Sequence, residues 1–454
     1  MEPLNRNFQS TPAEQQRMLP KDDFDAPLLQ HYRRRSRANR IEPPFLWVEY
    51  GTFALLGMAM LWSWNMFLAA SPYFQDRFRS SKWVSENSQS AIIAVSTFTN
   101  LSAMIILTNT QSTGNYSSRV YSGLYVNFFI FALLTASTTV FRDVSPSQYL
   151  SFILAMAVSS SWASCLMQNG AFALAASFGR PEYIQAIMAG QGVAGVLPAA
   201  AQIFSVLVTP SGETISDGAQ FLTFDAEISA FIYFLTAVVV FCLVLLAFVL
   251  LQREHSRRAG HQAASTAGQP DGETFAHRLI DQINVLKKLY WCSAAIFTCF
   301  VIAMFFPVLT PKVLSVTPPS EANPLLTPAT FIPLALLFWN LGDLVGRASA
   351  LSLPFHGPQA LLFALSVARV LFLPLYTLCN IHGRGAIIPS DLFYLLLVQF
   401  PYGLTNGWLA SNCIMTACER VDTDKRELAG GLMVLCLMCG LTVGSLLSFT
   451  VAGI

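Results

Sequence analysis

The chain has 454 residues, of which 54% are hydrophobic and only 12% are charged. An average soluble protein carries about twice that charged fraction, so most of this chain is expected to lie in a bilayer. The formal net charge of +1 shows no basic excess of the kind that marks nucleic-acid-binding domains, so no nucleic-acid partner is expected.

Residues 1–44 are polar and contain the basic run RRRSRANR, so they are predicted to form a disordered cytoplasmic tail. The apolar run that follows is too long for a cleaved signal peptide, and the first helix is predicted to be an uncleaved insertion signal. Within the tail, Asp25, Leu28 and Leu29 form a DxxLL-like arrangement that is similar to sorting signals read by adaptors. It predicts a sorting adaptor as a partner and slightly favours a vacuolar or lysosomal membrane over the plasma membrane, although such short matches also arise by chance.

Eleven apolar runs reach the length of about 20 residues that a helix needs to cross the hydrocarbon core. They lie at approximately 45–70, 88–108, 119–141, 147–169, 182–208, 227–251, 288–310, 328–352, 358–381, 388–417 and 427–452. With the N-terminus placed inside, the inner segments hold most of the 27 Lys and Arg residues, as the positive-inside rule requires. An odd number of helices then places the C-terminus on the opposite side.

The longest polar interruption, residues 252–287, has a Gly/Ala/Ser-rich middle and no clear periodicity. It is predicted to be a disordered cytoplasmic linker. It divides the chain into an N-terminal bundle of six helices (45–251) and a C-terminal bundle of five (288–454). The predicted fold is therefore an all-α membrane protein in a 6+5 arrangement, which is typical of transporters with the major-facilitator plan.

Three ionisable side chains lie well inside predicted spans: Asp343, Arg347 and Arg369. Such residues are costly in lipid and usually face a bundle interior or a water-filled cavity. Asp343 and Arg347 are four residues apart and Asn340 precedes them by three, so on a helix they form one polar stripe. The stripe has two interpretations, an ion pair that fixes helix packing or the lining of a substrate path. Composition alone does not separate them.

The tenth and fifth spans carry uncharged polar groups at helical spacing. These are Gln399, Tyr402 and Asn406 in the tenth, and Tyr183 and Gln191, with Ile187 between them, in the fifth. Interhelical hydrogen bonds are the commoner role of such groups. Pro401, Gly403 and Gly407 loosen the tenth helix beside Asn406, however, and broken helices tend to lie near substrate sites.

Several patterns argue against an enzyme or a metal protein. All nine cysteines fall within or at the ends of apolar segments, and the CxxC of Cys436 and Cys439 has no His or second pair beside it. The sequence GQGVAG (190–195) matches a dinucleotide-binding pattern but lies in an apolar span without a preceding strand, so close helix packing is the better interpretation. All six histidines lie in loops or at span ends, which leaves no Ser/His/Asp set. No catalytic residue, metal ion or cofactor is expected.

Five stretches of the sequence resemble the equilibrative nucleoside transporter family. They are WNMFLAASPYF in the first span, QNGAFALAASFG with IMAGQGVAG across the fourth and fifth, FWNLGDLVGR in the eighth, PYGLTNGWLASNCIMTAC in the tenth and ELAGGLMVLCLMCGLTVGSLLSF in the eleventh. The likeness spans residues 47–452. It implies a major-facilitator-like fold of eleven helices that moves nucleosides, and in some members nucleobases, by alternating access. The ligand would bind near the bilayer midplane between the two bundles.

The resemblance also implies roles in the C-terminal bundle. Asp343 and Arg347 stand where the family's eighth-helix Asp and Arg approach the ribose of the ligand. Asn340 and Asn406 are added to the candidate substrate site because of their places beside this stripe and in the loosened tenth helix. Arg369 resembles the family's ninth-helix Arg and is expected to be a packing or gating partner rather than a ligand contact.

In the N-terminal bundle the resemblance points to the base of the ligand. Trp64 with Leu61 would pack on the base, and Asn65 would fix the first helix. Asn169 aligns with a position that is often Gln in the family and is expected to hydrogen-bond the base edge, with Gln168 beside it. The shorter Asn side chain puts base selectivity in doubt.

Two other functions were weighed. A proton-coupled nucleoside or sugar carrier of the wider major facilitator superfamily is the main alternative, and its sugar form predicts competition by hexoses but not by nucleosides. A receptor or non-transporting scaffold derived from the same fold is the other, and it predicts no saturable flux. The tenth and eleventh stretches argue against a sugar carrier.

Overall fold

The computed structural model describes residues 46–70, 73–74, 77–109, 116–141, 144–208, 218–262, 275–318 and 323–448. The predicted tail, with Asp25, Leu28 and Leu29, lies outside these residues. The described part is almost entirely helical, and the isolated β-bridge found in it joins Val313 to Ile381.

The long helices account for the predicted spans. In chain order they are α1 (Trp47–Ala69), α2 (Lys82–Asn109), α3 (Tyr116–Val140), α4 (Pro146–Ser177), α5 (Pro181–Val208), α6 (Gly218–Gln262), α7 (Tyr290–Ala303), α8 (Pro328–Ser349), α9 (Gln359–Ala368), α10 (Phe400–Arg420) and α11 (Arg426–Ser448). Three of them, α4, α5 and α8, begin with Pro, whose missing N–H costs nothing in the first turn of a helix. Shorter helical segments extend α7 and α9 at Phe306–Leu309 and Phe372–Tyr376, and a π-helical segment, Phe393–Gln399, leads into α10.

Ten helical stretches of the described residues are long and apolar enough to cross a membrane. They correspond to ten of the eleven predicted spans, and the one without a counterpart is the tenth, 388–417. Residues 391–420 are nevertheless helical throughout. Polar side chains at Asn406, Ser411 and Asn412 dilute the hydropathy of this helix, and all three are buried among other helices rather than turned to lipid. The count of eleven therefore stays a prediction, as does the 6+5 division.

The prediction of a disordered linker is wrong at both ends of that segment. Helix α6 continues to Gln262, and a further helix occupies Phe275–Lys288. Residues 263–274 lie outside the described part. The Gly/Ala/Ser-rich middle dominated the sequence interpretation and hid the amphipathic helix that follows it. Gln282 and Val285 of this helix are buried, whereas its Ile280 and Ile283 are exposed.

The helix Phe275–Lys288 joins parts of the chain that lie on either side of it in sequence. The Gln282 amide donates to the carbonyl oxygen of Thr108 in α2, at 3.0 Å. The Asp281 carboxylate pairs with Lys425, just before α11, at 2.9 Å. This segment is therefore a structured connection at the ends of α2 and α11.

The helices α8 and α10 approach each other closely because both present glycine at the crossing. A methyl group added at Gly403 of α10 would overlap the carbonyl oxygen of Trp339, and one at Gly407 would overlap that of Asp343. Small residues allow backbones in a membrane bundle to reach this distance. The same device recurs at Gly342 and Gly346 on the α8 side, and between α1 and α5 at Gly57 and Gly190. The crossing of α8 and α10 fixes the surroundings of Asp343.

Several helix pairs connect the predicted N-terminal and C-terminal bundles, and two of these contacts are extensive. Helix α5 lies along α8, and helix α4 lies along α11. The first contact, from Gln185 to Gly195 on α5 and from Asn340 to Arg347 on α8, is called the α5–α8 seam below. Both contacts include the helix ends that the charge distribution predicts to be cytoplasmic.

Candidate functional site

The polar stripe of α8 forms a buried ion pair. Arg347 Nε lies 2.6 Å from Asp343 Oδ2, and each side chain keeps only 6% of its surface exposed. The spacing of four residues on one helix places the two groups one above the other, as the sequence predicts. A bare carboxylate or guanidinium at this depth would be strongly unfavourable, and the ion pair offsets part of that cost.

Helix α10 supplies the second partner of the carboxylate. Asn406 Nδ2 donates to Asp343 Oδ1 at 2.7 Å. Asn406 is 1% exposed and reaches Asp343 because Gly407, the next residue, lets the α10 backbone press against α8. Each oxygen of Asp343 thus receives one hydrogen bond, one from Arg347 on its own helix and one from Asn406 across the helix crossing. The structure brings three of the predicted substrate-binding residues, Asp343, Arg347 and Asn406, into direct contact.

A second buried guanidinium is connected to this cluster through a thiol. Arg369 donates from Nη1 to the carbonyl oxygen of Cys299 at 2.6 Å and approaches its Sγ at 3.0 Å. The thiol in turn lies 3.5 Å from Asn406 Oδ1. Arg369 also lies over the Tyr402 ring, 5.0 Å from its centre. These contacts form a chain of donors that runs from Arg369 through Cys299 and Asn406 to Asp343.

The N-terminal bundle contacts the ion pair through one face of α5. Arg347 Nη1 donates to Gln191 Oε1 at 3.0 Å and to the carbonyl oxygen of Met188 at 3.3 Å. Gln185 Nε2 donates to the backbone carbonyl of Arg347 at 3.2 Å. Gln185, Met188 and Gln191 are three residues apart, so they share a face. Sequence reasoning found Gln191 but missed Gln185. The feature that could have revealed it is a second glutamine six residues before Gln191 on the same helix.

The predicted residues of α1 lie on the other side of α5. Asn65 Nδ2 donates to the carbonyl oxygen of Ala194 at 2.6 Å, so its predicted part in fixing the first helix has a concrete partner. Asn340 bonds within its own helix, to Leu336 O at 2.8 Å, and its side chain lies against Gly195. Helices α1, α5 and α8 therefore meet around residues 194 and 195.

The remaining predicted residues are not gathered at the ion pair. Leu61 and Trp64 on α1 are half-buried. Asn169 is fully buried on α4, where its Oδ1 accepts from Arg119 of α3. Its Nδ2 has no hydrogen-bond partner among the described residues. Gln168 is 5% exposed beside it. The structure thus turns Asn169 toward α3, and a contact with a base stays a prediction.

The charges of the site do not balance. Among the residues that the structure describes, Glu49, Asp343, Arg347 and Arg369 are the charged side chains in the buried class. Glu49 accepts from Tyr183 at the start of α1 and α5, away from the others. The described residues around α8, α9 and α10 therefore hold one buried carboxylate and two buried guanidinium groups, of which Arg347 is paired with the carboxylate. Among all the residues that the structure describes, no cluster of His, Cys, Asp and Glu could hold a metal ion.

Comparison with known proteins identifies the family. A family model described as "Nucleoside transporter" matches residues 154–452. The chain belongs to the nucleoside transporter family. The resemblance read from the sequence is thereby confirmed, and the chain is an integral, multi-pass membrane protein of a family of transporters rather than enzymes.

Relatives of this nucleoside transporter family member cover most of its length. Nucleoside transporter FUN26 of Saccharomyces cerevisiae is 28% identical across 88% of the chain and 83% of that protein. Human equilibrative nucleoside transporter 1 is 26% identical across 87% of the chain and 95% of its own length. The structure of FucP, a major facilitator superfamily transporter, in its outward conformation superimposes with a TM-score of 0.56, at 12% identity over 89% of this chain and 92% of FucP. The predicted all-helical, major-facilitator-like fold is confirmed.

Proposed function

We propose that the protein moves nucleosides across its membrane by facilitated diffusion, through alternating exposure of a site between the two bundles. The observation that carries the proposal is the Asp343, Arg347 and Asn406 cluster, which is buried against α5 in a chain of the nucleoside transporter family. The guanidinium of this cluster also donates to Gln191 and Met188 of the opposite bundle, so the cluster lies where the two bundles would have to separate.

The cluster has spare capacity for a sugar. An ionised carboxylate has about four lone-pair positions, and Asp343 receives one hydrogen bond at each oxygen, from Arg347 Nε and from Asn406 Nδ2. Two neighbouring ribose hydroxyls can donate to the remaining positions. Arg347 can donate to a ligand oxygen from its Nη groups, and such charge-assisted bonds are the strong ones. These properties suit a ligand with adjacent hydroxyl groups.

Access to the cluster requires the seam to open. Asp343 and Arg347 are 4% and 5% exposed, and α5 covers the guanidinium. A ligand can reach Arg347 only when α5 and α8 move apart or shift along each other. Movement of one bundle against the other is the motion that major-facilitator transporters use. The arrangement described here is then a state in which the site is closed at the predicted cytoplasmic ends of α5 and α8.

The base of the ligand would lie toward α1. Trp64 and Leu61 offer an aromatic and an apolar surface there, and stacked aromatic contacts suit the flat face of a base. Asn65 keeps α1 attached to α5 through Ala194. Gln168 and Asn169 would contact the base edge, and the unpartnered Nδ2 of Asn169 is the donor available for this while its Oδ1 accepts from Arg119.

Uptake by purified protein in liposomes tests the proposal. Labelled uridine should enter with saturable kinetics and without an imposed proton gradient, and unlabelled adenosine and uridine should compete, while a hexose should not. Competition by hexoses with none by nucleosides would instead favour the sugar carrier. Absence of any saturable flux from well-folded protein would leave only a non-transporting role.

We also propose that the protein lies in a vacuolar or lysosomal membrane and that a sorting adaptor recognises Asp25, Leu28 and Leu29. The support is the DxxLL-like arrangement of these residues. Replacing Leu28 and Leu29 by Ala in a tagged protein should move it to the plasma membrane in fluorescence images. An unchanged distribution would rule the motif out.

A further inference from the structure

Gln191 holds the position on Arg347 that a ligand would need. Its Oε1 accepts from Arg347 Nη1 at 3.0 Å, while Nε of the same guanidinium is taken by Asp343. The other end of the Gln191 amide is weakly held, since Nε2 donates to the thioether sulfur of Met60 at 3.7 Å. A thioether is a poor acceptor. Gln191 is therefore oriented mainly by Arg347.

The place of Gln191 connects the two halves of the proposed ligand site. Met60 lies four residues before Trp64 on α1, so the two share a face of that helix. Gln191 thus lies between the guanidinium proposed for the sugar and the helix proposed for the base. It is 5% exposed in this closed arrangement. A ligand that bridges the two sides must take the space and the hydrogen bond that Gln191 now has.

We propose that Gln191 is a stand-in ligand that occupies Arg347 in the empty carrier and is displaced when a nucleoside binds. This inference rests on the proposed function. It adds an explanation of how ligand binding is coupled to the movement of one bundle against the other. The bond from Gln191 to Arg347 joins the two bundles across the α5–α8 seam. Displacing it removes a link between the bundles at the moment when the ligand supplies a replacement. A ligand shifts a conformational equilibrium only by binding one state better than the other, and this exchange provides such a difference.

Two substitutions should move affinity in opposite directions. Gln191→Met keeps the size of the side chain but removes its hydrogen-bond acceptor. Uridine then has no internal competitor for Arg347, and the dissociation constant of uridine should fall about tenfold. Gln191→Glu places a carboxylate against the guanidinium, so the dissociation constant should rise by about tenfold or more. A side chain that served only as packing would weaken binding in both variants. Equilibrium binding of labelled uridine to purified protein measures both.

Gln399→Met is the matched control. Gln399 is also a fully buried glutamine, but its amide bonds to Thr310, Tyr376 and Tyr394, all within the C-terminal bundle. It should lower stability without changing the dissociation constant. A parallel loss of uridine affinity in this variant and in both Gln191 variants would show that loss of any buried amide is enough, and would overturn the inference.

A second measurement needs no ligand. Ser177 at the end of α4 and Glu419 near the end of α10 are exposed on either side of the contact between the bundles. The distance between spin labels at Ser177→Cys and Glu419→Cys, measured by pulsed electron paramagnetic resonance, therefore reports the opening of that contact. Ligand-free Gln191→Met should populate longer distances than the parent, and Gln191→Glu should populate them less. If wild-type protein binds no nucleoside, the proposed function fails while this measurement still decides the role of Gln191. Unchanged distances in both variants would overturn that role.

Discussion

Replacing Asp343 by Asn separates a structural role of the ion pair from a role in binding. Asn has nearly the same shape, so the α8–α10 crossing is kept, but Arg347 is left buried without the carboxylate that pairs with it. Removing one partner of a buried pair costs about 3–5 kcal/mol of folding free energy. Replacing a whole pair by neutral groups of similar size is often close to neutral. The double variant Asp343→Asn with Arg347→Gln should therefore recover most of the loss.

The assay measures stability and transport on the same preparations. Unfolding of purified protein in detergent, followed by tryptophan fluorescence, should show the single variant about 3–5 kcal/mol less stable than the parent and the double variant within about 2 kcal/mol of it. Uridine uptake in liposomes should be at background for both. Arg384→Gln, at an exposed loop position, should change neither property. A stable double variant that transports at the parental rate would refute the binding role. An unfolding free energy of Asp343→Asn equal to that of the parent would refute the argument from burial.

Three further substitutions test the packing and the polar chain around the site. Gly407→Ala should lower the unfolding free energy by about 1–3 kcal/mol in the same titration, because the added methyl overlaps the α8 backbone; an unchanged value would mean that the crossing can widen freely. Cys299→Ser should keep uridine uptake within about twofold of the parent, whereas Cys299→Ala should reduce uptake further because it breaks the donor chain from Arg369. Equal uptake by the two variants would show that the thiol only fills space. Asp281→Asn should cost less than about 1 kcal/mol and lose its effect at high salt, because its pair with Lys425 is partly exposed; a larger, salt-independent loss would contradict this.

The fold was readable from the sequence wherever a helix faces lipid. Lipid-facing helices need long apolar runs, and ten of the predicted spans have matching helices. The weakest prediction was the tenth span, because α10 is surrounded by other helices and carries buried Asn406 and Asn412. The linker was misjudged for a related reason: the amphipathic helix Phe275–Lys288 gains its stability from contacts with α2 and α11, which local composition does not reveal.

The candidate site was readable where its parts lie on one helix. The Asp343 and Arg347 pair follows from a spacing of four. Contacts between helices depend on rotation and register, which the sequence does not give. Nothing in the sequence therefore indicated that Cys299 lies between Arg369 and Asn406. The bond between Asn169 and Arg119 was missed for the same reason.

The glycine crossing and the polar cluster have a common physical consequence. Because Gly407 lets α10 approach the Asp343 backbone, the polar groups at the crossing must satisfy one another, as Asn406 and Asp343 do. A ligand that binds Arg347 in such a cluster replaces the hydrogen bond from Arg347 to Gln191, so part of what it gains at Asp343 is offset by the bond that is lost. The net free energy of binding then stays small, which a carrier needs, since its ligand must bind well enough to enter and weakly enough to leave. An open, water-filled pocket around Asp343 and Arg347 would lack this restraint, because its donors would be held by exchangeable water rather than by α5.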